Sequence, residues 1–275
     1  MRAAQPTGVE RVYTGDTPLS VSCPMKPFRL LCSLALAVGL LAAFFSPAAA
    51  QSKTLRWDRY DVTLAIQPDG SLRVAETQTI TFTSGRFTFG YATIPLAKTE
   101  GISEIGIREG SRAYERGSGT QPFTFTTEQT EANIDIRWYF PATADSTHTY
   151  VLTYTVRGAL RVYDTGDKLQ WVAISGERDF PIQESSVTVN LPPGAKFQII
   201  DAAGVQTQWA QNPAGNSVTY AAEQALYTSD TLEVGVEFTH GAIPAVAPGW
   251  QAVIDQREKY DLRVRPVVNL LQGRR

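Results

Sequence analysis

A chain of 275 residues with 43% hydrophobic and 19% charged side chains is long enough for one or two packed domains and too apolar to be disordered. The formal charge is −2, and the part beyond residue 50 carries 21 basic against 25 acidic groups. That balance lacks the basic footprint a nucleic-acid partner requires, so nucleic acid is excluded as a partner.

Residues 1–24 have no hydrophobic periodicity and are expected to be an upstream extension from a mis-assigned start, because Met25 stands where a signal peptide begins. Lys26 and Arg29 precede the uncharged run 30–45, and Ala48, Ala49 and Ala50 offer small residues for cleavage. Residues 25–50 therefore read as a signal peptide, with Gln51 as the first mature residue. An uncleaved anchor over residues 30–50 is the alternative. Both cysteines, Cys23 and Cys32, fall in the removed part, so no disulfide, thiol nucleophile or thiolate metal site is expected beyond it.

From residue 55 onward, apolar residues recur at nearly every second position, the mark of half-buried strands. Trp57, Val62, Leu64 and Ile66 belong to a first strand, Pro68-Asp69-Gly70 to a turn, and Leu72, Val74, Ile80 and Phe82 to the returning strand of a long hairpin. Glu76 falls in the inward register of that second strand. An isolated carboxylate is rarely left buried, so an edge position or a bulge is expected to turn it to solvent. Phe87, Phe89 and Tyr91 alternate and are expected in the core rather than in a surface patch. Ile102, Ile105 and Ile107 predict a strand, and residues 109–121, with three glycines, a flexible loop tip. Phe123 and Phe125 predict a short strand, and Ile134, Ile136, Trp138 and Phe140 a longer one stopped by Pro141.

Residues 149–193 hold the clearest pattern. Tyr150, Leu152, Tyr154 and Val156 share one face of a strand, Leu169, Trp171 and Ala173 another, and Val187, Val189 and Leu191 a third. Further strands are predicted at residues 197–200, 205–209, 218–220 and 232–238. No long apolar helical stripe interrupts them, so the chain is all-β: an antiparallel β-sandwich, read as two consecutive immunoglobulin-like sandwiches over 51–158 and 159–240, with one large sandwich as the alternative. Residues 241–275 read as a proline-containing linker, a short helix from Trp250 to Tyr260 and a truncated approach to a membrane span. In that helix Ala252, Val253 and Gln256 are expected on the packed side and Arg257, Glu258 and Lys259 in solvent.

The run from Tyr154 through Leu169-Gln170-Trp171 to Val187-Thr188-Val189-Asn190-Leu191-Pro192 resembles the N-terminal region of the YciQ-like family of predicted bacterial membrane proteins, a domain of unknown function. Tyr60-Asp61-Val62, then Pro68-Asp69-Gly70-Ser71-Leu72 leading to Val74 and Glu76, and Ile94-Pro95 fit the same pattern. The resemblance implies an exported β-domain followed by a membrane helix, and no known activity.

Chemistry-bearing constellations are sparse. His148 and His240 stand at strand ends without metal-ligand spacing and read as surface residues. Asp164-Thr165-Gly166-Asp167 reads as a hairpin turn rather than a calcium loop. Glu177-Arg178-Asp179 reads as a local ion pair fixing a corner rather than half of a glycosidase pair. Trp138, Trp171, Trp209 and Trp250 are candidates for a carbohydrate platform, but the inward registers of three of them favour the core. No catalytic, cofactor-binding or metal residue is assigned, and no cofactor is expected. The expectation is a non-catalytic ectodomain on the outer face of a membrane, with an interaction or sensing role toward an unknown protein or envelope component. A carbohydrate-binding or carbohydrate-active envelope domain and a structural spacer are the alternatives.

Overall fold

The computed structural model describes residues 53–244 and 246–259. The expected extension, signal peptide, cleavage before Gln51, both cysteines and the pre-membrane segment from residue 260 onward lie outside the described residues.

Alternating apolar residues and turn chemistry produce sixteen strands among the described residues. They are β1 (Thr54–Ile66), β2 (Leu72–Ser84), β3 (Phe87–Pro95), β4 (Gly101–Glu109), β5 (Arg112–Ala113), β6 (Glu115–Arg116), β7 (Thr124–Gln129) and β8 (Asn133–Thr143). After them come β9 (Ser146–Arg157), β10 (Leu160–Tyr163), β11 (Gly166–Ile174), β12 (Ile182–Asn190), β13 (Phe197–Gly204), β14 (Thr207–Gln211), β15 (Ser217–Ala222) and β16 (Leu232–Phe238). The β1–β2 connection is the predicted turn. Gly70 takes φ 82°, Gly70 N–H donates to the Gln67 carbonyl, and the Asp69 carboxylate accepts from the amide and hydroxyl of Ser71.

The strands form a sandwich-like arrangement of three sheets. A large one runs β14-β15-β12-β1-β2-β9-β4-β5, and two small ones run β3-β8-β7-β6 and β10-β11-β16-β13. Both small sheets cover the same face of the large sheet. Against the first, Phe82 of β2 meets Phe140 of β8 at 5.7 Å between ring centroids, and Tyr150 of β9 stacks on Phe140 at 5.2 Å. Against the second, Tyr220 of β15 donates to the Gly235 carbonyl of β16 at 2.9 Å. The expected boundary after residue 158 falls between β9 and β10, yet the large sheet draws strands from both sides of it. The link is a parallel ladder between β1 and β12, with Val62 opposite Val187 and Leu64 opposite Val189.

Two local expectations change. Pro141 does not stop β8, which runs to Thr143 at the end of the sheet. The loop after β4 is pinned, because Tyr114 is buried, donates to Glu109 at 3.0 Å and meets Phe123 edge-on.

Residues 251–259 form a helix, α1, but its packed side is the polar one. Val253 is 67% exposed, whereas Gln251 is buried and its amide answers both the N–H and the C=O of Val162 at 2.9 Å. Arg161 holds Glu258 through two bonds of 3.0 and 2.7 Å, and Tyr163 donates to Asp255 at 2.8 Å. The helix thus caps the edge strand β10, whose backbone groups attract polar partners more strongly than they attract Val253. Gln251→Ala is expected to cost about 1–3 kcal/mol by stripping both backbone groups of their partners. Faster amide hydrogen exchange at Val162 is the accompanying readout, and unchanged exchange would contradict the role assigned to Gln251.

Candidate functional site

The outward face of the first small sheet carries a set of polar and aromatic side chains aligned across its strands. Its position follows from β3. A register shift lies between Phe87 and Phe89, and Gly90 sits directly over the Trp138 indole, with Cε2 only 2.5 Å from where a Cβ would stand. That irregularity turns Gly90, Ala92 and Ile94 inward and sends Phe89 and Tyr91 out, at 42% and 53% exposure. The expectation of core positions therefore holds only for Phe87, which is half-buried against Phe82; Phe89 and Tyr91 are surface residues.

Strand registers align three cross-strand rows on this face. Phe89, Tyr139 and Thr124 form the first, Tyr91, Arg137 and Thr126 the second, and Thr93, Asp135 and Glu128 the third. Seven of these nine residues, all but Phe89 and Thr124, line an open cleft of about 760 Å³, together with Gly117 and Ser118. The Arg137 guanidinium lies 5.0 Å from the Phe89 ring centroid and has no carboxylate partner among the described residues. Thr93 donates to Asp135 at 2.6 Å, and Tyr91 donates to Asp179 at 2.7 Å. The Arg137 donors sit at the centre of the floor beside the Tyr91 ring, with acceptors at one end and the Tyr139 ring at the other.

Residues marked in the sequence take other roles. Glu76 is not turned to solvent. It is 7% exposed at the middle of the large sheet's buried face, where Tyr60 donates to Oε2 at 2.5 Å and Tyr154 to Oε1 at 2.8 Å, with Gln78 Nε2 at 3.5 Å. Burial raises its carboxyl above the ordinary value against the pull of these donors, and burial also drives both phenols well up. The sequence expectation failed because β1 and β9 supply hydroxyls that the chain leaves 16 and 78 residues away.

The corner 177–179 is held by Arg178 rather than by an ion pair. Its guanidinium donates to the carbonyls of Ser175, Tyr227 and Asp230, while Asp179 serves Tyr91. Asp164 and Thr165 are the loop of the β10–β11 hairpin, as read. Asp167 is fully buried and bonds His240 Nδ1 at 2.9 Å. His148 is not a free surface residue: its Nδ1 meets Glu109 at 2.5 Å, its Nε2 meets Thr143 and Ser146, and its ring stacks on Tyr150. His148 lies in β9 and His240 just beyond β16, and each is engaged by a different carboxylate, Glu109 and Asp167. Of the tryptophans, Trp138 is core, Trp171 and Trp250 are half-buried, and Trp209 is exposed at 51%. Trp209 thus departs from the core expectation, because β14 is an edge strand of the large sheet.

Reasoning from sequence missed Arg137, Tyr139, Asp135 and Glu128. The signal for Asp135, Arg137 and Tyr139 was the phase of β8 that alternates with the buried Ile134, Ile136 and Trp138, whereas Glu128 reaches the same face from β7.

Residues 56–241 match the family model described as the N-terminal domain of a predicted membrane protein (DUF2207). No curated protein matches the sequence. Among solved structures, an M1 zinc metallopeptidase from Deinococcus radiodurans aligns with a TM-score of 0.38 and 16% identity, over 66% of this chain and 42% of that one. An aminopeptidase A from Legionella pneumophila in complex with aspartic acid aligns with a TM-score of 0.36 and 11% identity, over 67% of this chain and 22% of that one. The chain spans less than half the length of either. Among the described residues no helix is long and apolar enough to cross a membrane.

Proposed function

The chain belongs to the family of predicted membrane proteins whose N-terminal domain, DUF2207, covers its residues 56–241, and from that membership we propose that it is a non-catalytic recognition domain displayed on the outer face of a membrane. The observation that carries the recognition role is the cleft on the first small sheet, with its three cross-strand rows and an arginine that has no carboxylate partner among the described residues. An unpaired guanidinium held over an aromatic ring, next to two carboxylates directly opposite each other, stabilises the fold little and suits a ligand better.

Binding rather than cleavage is the better reading of the carboxylates. Asp135 and Glu128 are cross-strand neighbours on one floor. A glycosidase pair must instead flank its substrate from two sides.

Placement is tested on the whole protein in its native cells. Residues 51–275 contain no cysteine, so Ala214→Cys at the exposed β14–β15 turn, on a different sheet from the cleft, introduces a unique thiol there. Labelling of intact cells by a membrane-impermeant maleimide is the expected result. Labelling only after lysis would place the domain on the inner side and end this reading.

A further inference from the structure

We propose that the cleft on the first small sheet is a saccharide site, taking a short polyhydroxylated oligosaccharide along the β8 direction. This deepens the recognition role given above and rests on it. The floor runs from the Phe89 row to the Thr93 row, four residues of strand or about 13–14 Å, and the cleft volume of about 760 Å³ falls in the range of small-molecule sites.

The chemistry of the rows selects the ligand class by exclusion. An apolar ligand would bury Arg137 and Glu128 without polar partners and Asp135 with only the Thr93 hydroxyl, which is costly. A polyanion would meet two carboxylates with one guanidinium against them. Nucleic acid needs a basic track that this face lacks. A sugar hydroxyl both donates and accepts, so it answers the acceptor-only carboxylates at one end and the donor-only guanidinium at the centre. The hydroxyls of Thr126 and Ser118, which line the cleft, add groups that serve either way. Tyr139, half-buried beside Phe89 at 6.5 Å between centroids, presents a ring to the apolar face of a pyranose. The Arg137 guanidinium already lies over the Phe89 ring at 5.0 Å, which limits its freedom before a ligand arrives.

The recognition residues assigned here are Tyr139 for stacking, Arg137 for donation and Asp135 with Glu128 for acceptance. Thr93 orients Asp135 through its 2.6 Å bond and is a positioning residue.

The test is calorimetric titration of the intact exported protein with three soluble probes: the tetramers of β-1,4-linked glucose, N-acetylglucosamine and glucosamine. Saturable binding of at least one is expected, weakened tenfold or more both by Tyr139→Ala and by the isosteric Asp135→Asn. Asp135→Asn should leave the melting temperature unchanged, so that loss of binding is not loss of fold. Absence of binding to all three at millimolar concentration, or binding indifferent to both substitutions, overturns the saccharide assignment. The maleimide result stands or falls separately, since it reads placement and not ligand.

Discussion

The stability of the wild type relative to a Glu76→Gln variant is expected to fall as pH rises from about 4.5, the ordinary value of this carboxyl, by up to about 1.4 kcal/mol per pH unit. The sign follows from which state keeps its proton. Burial raises the Glu76 carboxyl in the folded protein above its unfolded value, so on alkalinisation the unfolded chain releases its proton first. Within that window the folded state binds more protons than the unfolded one, and stability drops with pH until the folded carboxyl has also ionised. Below the ordinary value both states are protonated and the Glu76 contribution is at its most favourable. The glutamine variant does not titrate there and supplies the baseline. Urea unfolding of both proteins over a pH series gives the difference directly, and parallel curves would refute the buried-carboxylate account. Glu76→Leu tests the other side of the same cluster. It leaves the Tyr60 and Tyr154 hydroxyls buried without their acceptor, each costing about 1–3 kcal/mol.

Gly90→Ala is expected to destabilise by about 1–3 kcal/mol, because its Cβ enters the space of the Trp138 ring in a packed core. Trp138→Phe should restore part of that loss in the same background. The smaller ring vacates the contested volume, and it also removes an indole N–H that is buried without a partner among the described residues. A coupling of about 1 kcal/mol or more in the double-mutant cycle is the expected outcome, within the range seen for residues in contact. Strict additivity would mean that Gly90 and Trp138 do not share this space, and with it the explanation for the outward turn of Phe89 and Tyr91 would fail. Trp138→Ala, by contrast, should cost about 3–5 kcal/mol alone.

Much of the fold was legible because a period of two records which side of a strand is buried. Val62, Leu64, Val74, Ile136, Leu152, Val187 and Val189 all lie inward as their spacing predicts. The family was legible in the same residues, since their order along the chain is what the DUF2207 match spans. Pairing was not legible. A strand pattern does not name its neighbour, and the parallel β1–β12 ladder joins segments that look like members of separate hairpin stacks. The outward turn of Phe89 and Tyr91 was hidden for a different reason: a single bulge inverts every side chain after it, and its position depends on the bulk of Trp138 in another strand. Glu76 was read in the correct inward register, but its acceptor role depends on two tyrosines from other strands.

The β1–β12 ladder also sets a clock. Asp61 and its partner Ser186 are 125 residues apart, so at ordinary rates of synthesis about 6–25 s separate their emergence from the ribosome. Through that interval the β1 edge destined for β12 offers unpaired backbone groups to any other extended chain. Closing so long a loop makes folding slow in comparison with domains built of local contacts. Conditions that stretch the interval, such as slowed elongation between residues 66 and 182, should therefore raise aggregation of the nascent protein. Shortening the polar loop before β7, which lies wholly within the same interval, should matter far less.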